Sequence, residues 1–454
     1  MTDNLRIWLS NPLAIYTGND EDASGGIVVS GKAIVELVAK GETPVNIDQT
    51  IDVSDQVLIP GLINTHHHFY QTLTRALPAA LNKELFPWLQ TLYPVWANLD
   101  PEVHRAATKL ALAELLLSGC TTASDHHYLF PANLTDAIDH QVEIGREMGV
   151  RMAMTRGSMS LGQDQGGLPP NTVVQTEDEI LQDSERLVSR YHDSEPYSMS
   201  QIALAPCSPF SVTTELMRDT ASLAKQLNVR LHTHLAETID EENFCERSLG
   251  MRTVDYLESV GWLSSNTWLA HGIHFNDEEI ARLGKAGVGV CHCPSSNMML
   301  ASGIAKVKEL EAAGSPVGLG VDGSASNDCS NMIQEVRQAM YIQRLRYGSS
   351  AVTHFDAYRW GTKGSAQVLG RNDIGELAVG KAADLALFKL DEPRFSGAHD
   401  PLAALLLCGA HRAEAVMVNG EWRVKAGELV GQDIEQIMHE HKEAANTLAA
   451  RAIS

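Results

Sequence analysis

The sequence predicts an α/β fold: a (β/α)8 TIM-type barrel with a small β-sandwich module built from the N- and C-terminal segments. Three observations predict it. From Val57 onward, apolar β-type runs alternate with helical patterns, the texture of βα units around a parallel sheet. Eight such runs occur, at 57–65, 121–125, 151–155, 202–205, 229–235, 267–271, 287–291 and 317–321, and eight is the barrel count. The 454 residues exceed one ordinary domain and suit a barrel with an added module.

The elements follow in order. The first ~55 residues read as short strands at 13–17, 26–29, 33–37 and 51–53, punctuated by Gly and Asp. Between the barrel runs lie helices such as 101–118, where Val103, Ala106, Ala107, Leu110, Leu112, Leu115 and Leu116 form a broad apolar stripe. After about Leu377 strand-and-turn texture returns at 383–388, 415–418 and 421–424, with Asn419-Gly420 as a hairpin signal. A closing surface helix is expected at 432–450. Residues 1–58 and 372–454 are thus expected to form the β module, and 59–371 the barrel.

Composition narrows the function. A net charge of -22 disfavours phosphate backbones and anionic membrane surfaces, so neither a nucleic-acid polymer nor a membrane is the expected partner. No apolar run reaches transmembrane length, and the opening Met-Thr-Asp-Asn-Leu-Arg lacks a basic then apolar leader pattern. Seven scattered cysteines read as free thiols in a reducing cytoplasm.

Barrel chemistry sits at the C-terminal ends of the strands. The first run ends in Thr65-His66-His67-His68, where His66 and His68 share one face and His67 points away. The fifth ends in His232-Thr233-His234-Leu235-Ala236-Glu237, the sixth in His271, the eighth in Asp322. A strand-end His is usually a satisfied polar group and a strand-end Asp a helix cap, but four at one end of one barrel form a ligand set. Three imidazoles and one carboxylate leave a zinc ion cationic enough to acidify a bound water. Asp322 can also accept a proton from that water, Glu237 can shuttle protons without ligating, and His271 can polarise the substrate or stabilise developing charge. Strand geometry alone does not choose between His232 and His234. His292, between Cys291 and Cys293, is spaced too tightly for a zinc finger and reads as strand-seven packing.

These motifs resemble the amidohydrolase superfamily, in its mononuclear-metal deaminase branch, over nearly the whole chain. Residues 60–68 look like its PGLIxxHxH segment, 234–237 its HxxE, His271 and Asp322 its strand-six and strand-eight residues. Thr362–Gly370 and the run Ile-Gly-Glu-Leu-Ala-Val-Gly-Lys-Ala-Ala-Asp at 374–384 look like its return to the β module. The resemblance implies one divalent metal ion, zinc by preference, on His66, His68, His234 and Asp322, with Glu237 moving protons and His271 beside them. The HxxE match selects His234 over His232. Binuclear relatives bridge two metals with a carboxylated Lys; the fourth run ends in Ala205-Pro206-Cys207 with no Lys, which favours one metal.

Gln71, three residues after His68, resembles the substrate clamp of HxHxxQ aromatic-base deaminases, with Glu237 and His271 also touching substrate. The stretches at 8–13, 124–128, 156–161, 166–170 and 408–412 look like those of a narrower group, the 8-oxoguanine deaminases. That resemblance implies a small aminopurine substrate, hydrolysed from 8-oxoguanine to urate and ammonia. Guanine or an aminotriazine is the alternative substrate, and a metal-free amidohydrolase-like scaffold the alternative of another class. Cys207 stands where thioether-nucleoside deaminases carry His, which favours a free base. His126, His127 and Arg156 are candidate purine contacts or structural supports, and Trp88 a candidate lid or packed aromatic. Barrels of this branch often pair, so a homo-oligomer is possible.

Overall fold

The computed structural model describes residues 5–453; residues 1–4, part of the stretch read above for a leader, lie outside the described residues. Eight parallel strands form one sheet in sequence order: Leu62–Asn64, Cys120–His127, Arg151–Ser158, Ser200–Pro206, Leu231–Leu235, Thr267–His271, Gly289–His292 and Val317–Leu319. The strands are buried along nearly their whole length, as parallel strands under helices must be. Helices between them are set by local chemistry. Asp100 caps Pro101–Leu117 by accepting from the Val103 N–H, with Pro101 in the first turn. Asn276 and Glu279 form a reciprocal cap on Asp277–Ala286, which ends at Gly287 with φ of 69°.

The barrel closes between its first and eighth strands at the place where the predicted ligands lie. The Thr65 N–H donates to the Leu319 carbonyl at 2.9 Å and the Asp322 N–H to the His66 carbonyl at 3.1 Å. Asp322–Gly323 then pairs in parallel with His67–His68, Asp322 opposite His67. Closure and ligand convergence are therefore one event.

The flanking segments form a two-sheet sandwich. One sheet contains Arg6–Ser10, Gly26–Ser30, Ala33–Val38 and Gln49–Asp52; the other contains Ala14–Ile15, Gln56–Pro60, Leu385–Lys389, Ala415–Val418, Glu421–Lys425 and Glu428–Leu429. Leu9, Ile27, Val29, Ile34, Leu58, Leu385, Leu387 and Met417 share the core between the sheets. Strand Arg6–Ser10 was not anticipated; its polar-flanked pattern is short, and pairing with Gly26–Ser30 defines it.

The apolar run at 57–65 is not one strand. Gln56–Pro60 pairs antiparallel with Leu385–Lys389 in the sandwich, and Leu62–Asn64 enters the barrel beside Cys120–His127. The sandwich strand thus extends two residues past the boundary expected at 58/59. The hinge is Gly61, where a Cβ would lie 2.3 Å from the Thr121 side chain, so the chain can turn between sheets only without one. The final helix runs Ile434–Ile453, beginning two residues later than expected.

One buried ion pair ties sandwich to barrel. The Arg151 guanidinium, at the start of strand three, donates to both oxygens of Asp384 at 3.1 and 3.0 Å, and the Asp384 carboxylate accepts from the Asn419 N–H at 2.7 Å. Both charged side chains are almost fully enclosed. Removing one partner of such a pair leaves the other charge buried and uncompensated. Asp384→Asn is expected to lower unfolding free energy by about 3–5 kcal/mol, read from the shift of the urea midpoint.

Candidate metal centre and active site

His66 and His68 leave the end of strand one, His234 lies on strand five and Asp322 follows strand eight. All four are buried. Asp322 Oδ1 stands 3.2 Å from His66 Nε2 and 3.3 Å from His68 Nε2, and His68 Nε2 stands 3.2 Å from His234 Nε2. A tetrahedral ion with bonds of about 2.0–2.1 Å separates its ligand atoms by about 3.3 Å. Those are the spacings of this cluster. His66, His234, His271 and Asp322 also group closely enough to hold an ion, as do His66, His68, His126 and His234.

Hydrogen bonds behind the rings fix which nitrogen faces the cluster. His232 Nδ1–H donates to the Trp268 carbonyl at 3.0 Å, so its Nε2 can only accept, and it accepts from His66 Nδ1–H at 2.9 Å. His68 Nδ1–H donates to the His126 carbonyl at 2.7 Å, and His234 Nδ1–H to the Cys207 carbonyl at 2.6 Å. Each ring therefore presents a bare Nε2 lone pair, the form a metal requires. His66 Nε2 touches Asp322 without hydrogen-bonding to it, consistent with that tautomer. Burial keeps His66 far below the usual imidazole range and lowers His234 to about 3, so both are neutral donors. Lone pairs this close repel unless a cation lies between them, and the donor set fits one divalent ion of the zinc class.

Asp322 is the anionic member. Its Oδ2 accepts from the Ser296 hydroxyl at 2.6 Å and the Ser326 hydroxyl at 3.3 Å. Glu237 behaves oppositely. Burial, reinforced by the Asp322 charge, raises it to about 8. Glu237 Oε2 lies 3.5 Å from His271 Nε2, whose Nδ1–H donates to Asn297 Oδ1 at 3.0 Å. His271 Nε2 also comes within 4.0 Å of Asp322 Oδ2.

The backbone is strained where these groups are presented. His271, Asp322 and Ala236 (between His234 and Glu237) have φ of 73°, 62° and 54°, conformations that cost about 1–3 kcal/mol each outside glycine. Glu241 braces one of these turns by accepting from the Glu237 N–H at 3.0 Å.

The ligand cluster opens on a cavity lined by His68, Gln71, Glu237, His271 and Asp322 on the barrel side. Helix Leu85–Trp96 covers the other side with Leu85, Trp88, Leu89 and Tyr93. Gln71 Oε1 accepts from the Ala325 N–H at 3.3 Å, which aims its amide group from a fixed point. Trp88 lines the cavity, as a covering aromatic would. His126, His127 and Arg156 do not line it. His126 lies behind the ligands, stacked on His234 at 4.7 Å and donating to the Ala205 carbonyl. His127 donates to the Leu129 carbonyl, and Arg156 pairs with Asp183 at 2.8 Å while lying over the Phe130 ring. His292 packs at strand seven against Gln343, as its spacing indicated. Sequence reasoning missed Ser296, Asn297, Glu241, Tyr93 and Tyr128. The Pro294-Ser295-Ser296-Asn297 stretch, which opens helix Pro294–Met299 after strand seven, was the one available signal, since polar residues at that barrel end face the site.

The sequence profile described as Amidohydrolase family matches residues 57–423. An 8-oxoguanine deaminase of Pseudomonas aeruginosa is 63% identical over 98% of this chain and 99% of its own. A hydroxydechloroatrazine ethylaminohydrolase of Pseudomonas sp. (strain ADP) is 34% identical over 92% of each chain. The crystal structure of atrazine chlorohydrolase TrzN from Arthrobacter aurescens TC1, complexed with zinc, superposes with a TM-score of 0.92 at 33% identity, covering 97% of this chain and 100% of that one.

Two outcomes follow from this geometry. His232→Phe deprives His66 Nδ1–H of its acceptor and is expected to weaken zinc affinity about 10–100-fold, measured by competition with a chromophoric chelator. Glu335 joins the helix Pro294–Met299, which carries Asn297, to the loop that follows Asp322: it accepts from the Ser295 N–H and hydroxyl and from Asn327 Nδ2. Burial raises it from 4.5 to about 7. The folded chain then binds this proton more tightly than the unfolded chain, so the Glu335 contribution falls as pH rises from about 4.5 to about 7. Glu335→Gln should flatten that part of the stability profile in denaturant titrations.

Proposed function

Because the chain belongs to the amidohydrolase family, we propose that it is a metal-dependent aminohydrolase that converts 8-oxoguanine to urate and ammonia. The observation that carries the reading is one cavity in which four donors spaced for a single ion adjoin a carboxyl, Glu237, poised to exchange a proton near neutral pH. The 63% identity to an 8-oxoguanine deaminase across 98% of the chain supports the substrate. All seven cysteines are free thiols, which suits a cytoplasmic enzyme.

A divalent ion on His66, His68, His234 and Asp322 supplies Lewis acidity that brings water close to ionisation at neutral pH. The protein residues do the rest. Gln71, held by the Ala325 N–H, orients the ring so that its amino-bearing carbon faces the ligand cluster. Asp322 takes a proton from the attacking water, its Oδ2 charge steadied by the Ser296 and Ser326 hydroxyls. Glu237, protonated below about 8, gives its proton to the neighbouring ring nitrogen, which makes that carbon electrophilic, and later moves a proton to the departing amine. His271, fixed by Asn297, stabilises charge as the carbon becomes tetrahedral. One C–O bond forms, one C–N bond breaks, and water provides the oxygen. A neutral carboxylic acid at pH 7 needs a dry site, and Leu85, Trp88, Leu89 and Phe210 provide apolar walls.

Steady-state rates for 8-oxoguanine, guanine, isocytosine and an aminotriazine, with ammonia release as readout, test the assignment. The highest kcat/KM is expected on 8-oxoguanine; a maximum on another ring, or none with zinc loaded, would overturn it. Glu237→Gln should lower kcat about 10²–10⁴-fold with metal content unchanged by elemental analysis.

A further inference from the structure

Gln71 sits on the six-residue 3-10 turn Phe69–Thr74, all of it buried. Hydrogen-bond geometry in such a turn is poor, and runs beyond three or four residues are uncommon, so this one depends on outside anchors. Three side chains from other elements supply them. Asp125 Oδ1, on strand two, accepts from the Phe69 N–H at 2.5 Å. Trp96, at the end of the covering helix, donates its Nε1–H to Thr74 Oγ1 at 3.1 Å, and Thr74 donates to the Gln71 carbonyl at 3.2 Å. The third anchor is His441, on the C-terminal helix Ile434–Ile453, whose Nε2 lies 3.0 Å from Thr72 Oγ1. The Thr72 hydroxyl already gives its proton to the Phe69 carbonyl at 2.9 Å, so His441 Nε2–H donates and Thr72 accepts. The contact is enclosed, with His441 9% and Thr72 2% exposed. Burial, with Arg75 nearby, lowers His441 to about 4, which keeps the ring neutral. Its helix is fixed in place by the fully buried Leu448 and by Arg451, which donates to the Asn98 carbonyl and pairs with Asp100.

We propose that His441 is a positioning residue for the substrate: it sets the turn that presents Gln71, and so acts on the reaction from the C-terminal helix without lining the cavity. The inference rests on the deaminase reading above, in which Gln71 orients the ring, and adds a determinant of that orientation. The Gln71 amide has little freedom of its own. Its Oε1 accepts from the Ala325 N–H, the Tyr70 hydroxyl adjoins it, and a Cβ at Gly323 would lie 1.8 Å from that oxygen. A shift of the turn is therefore passed to the amide rather than absorbed by the side chain. Misplacement of a substrate by about 1 Å can cost about 100-fold in rate, so one hydrogen bond behind the clamp has a measurable effect.

A double-mutant cycle on the zinc-loaded enzyme provides the test, read as kcat/KM for 8-oxoguanine. Gln71→Ala should lower kcat/KM by at least about 10-fold. His441→Phe, which keeps a ring but no donor, should lower it about 3–10-fold in the native background and have no further effect beside Gln71→Ala. Thr72→Val, which removes the acceptor from the other side, should reproduce the loss. His441→Gln, which restores an N–H donor, should recover most of it. Zinc content should stay unchanged in every variant. A His441→Phe loss that is equal in both backgrounds, a loss that tracks zinc content, or a lowered urea midpoint with native kcat/KM would leave His441 a structural role alone and overturn the proposal. Native kcat/KM in Gln71→Ala would overturn the orienting role of Gln71, and the proposal with it. A native enzyme active on another ring instead would overturn the substrate assignment, and the same cycle run on that ring decides the proposal.

Discussion

Three imidazole lone pairs and a carboxylate oxygen held about 3.2 Å apart are a repulsive arrangement that a cation converts into an attractive one. The rest of the structure around the barrel mouth serves that constraint. Every ring needs its Nδ1–H occupied from behind, so strand two and the residue just after strand four contribute carbonyls, from His126 and Cys207, and strand five contributes a whole imidazole, His232. Closure of the barrel between strands one and eight brings Asp322 against His66 and His68, and left-handed backbone at His271 and Asp322 turns their side chains inward. Strain of this kind persists only where surrounding contacts over-determine it. The serine hydroxyls on Asp322 and the Asn297 amide on His271 are those contacts.

Burial gives neighbouring acids opposite properties. Asp322 and Glu237 are both enclosed, yet Asp322 accepts from two serine hydroxyls and Glu237 is driven toward neutrality by burial and by the charge of Asp322. Two carboxyl groups pushed apart in this way are suited to different tasks, one charged and one able to carry a proton. The division depends on water being kept out, which explains why the covering helix presents leucines and aromatics to the cavity.

The barrel and its ligands were legible in the sequence because strand periodicity and strand ends carry them. His66, His68, His234, His271 and Asp322 each follow an apolar run, and the chemistry that favours them is visible in residue type. His232 was ambiguous for the same reason: two positions along a strand look alike until the Trp268 carbonyl is known to lie behind one of them. Glu335 was illegible because its role comes from tertiary contacts between segments distant in sequence, with Ser295 and Asn327. The split of residues 57–65 between two sheets was hidden by a continuous apolar run; only the approach of Thr121 to Gly61 reveals the break. His126, His127 and Arg156 show the converse limit. A strand-two and strand-three position at the right end of a barrel does not specify whether a side chain faces the cavity or the packing behind it.

The junction at Gly61 has a consequence for biosynthesis. The strand that delivers His66 and His68 is anchored upstream by Gln56–Pro60, whose antiparallel partner is Leu385–Lys389, so that Pro60 lies opposite Leu385. A nascent chain emerging from the ribosome therefore makes its first two candidate metal ligands early but cannot fasten them until most of the polypeptide has been translated. Such sequence-distant pairing slows folding and exposes unpaired edges meanwhile. Cation capture is thereby deferred to a nearly finished polypeptide, so a stalled translation product lacks the anchored strand that a working centre requires.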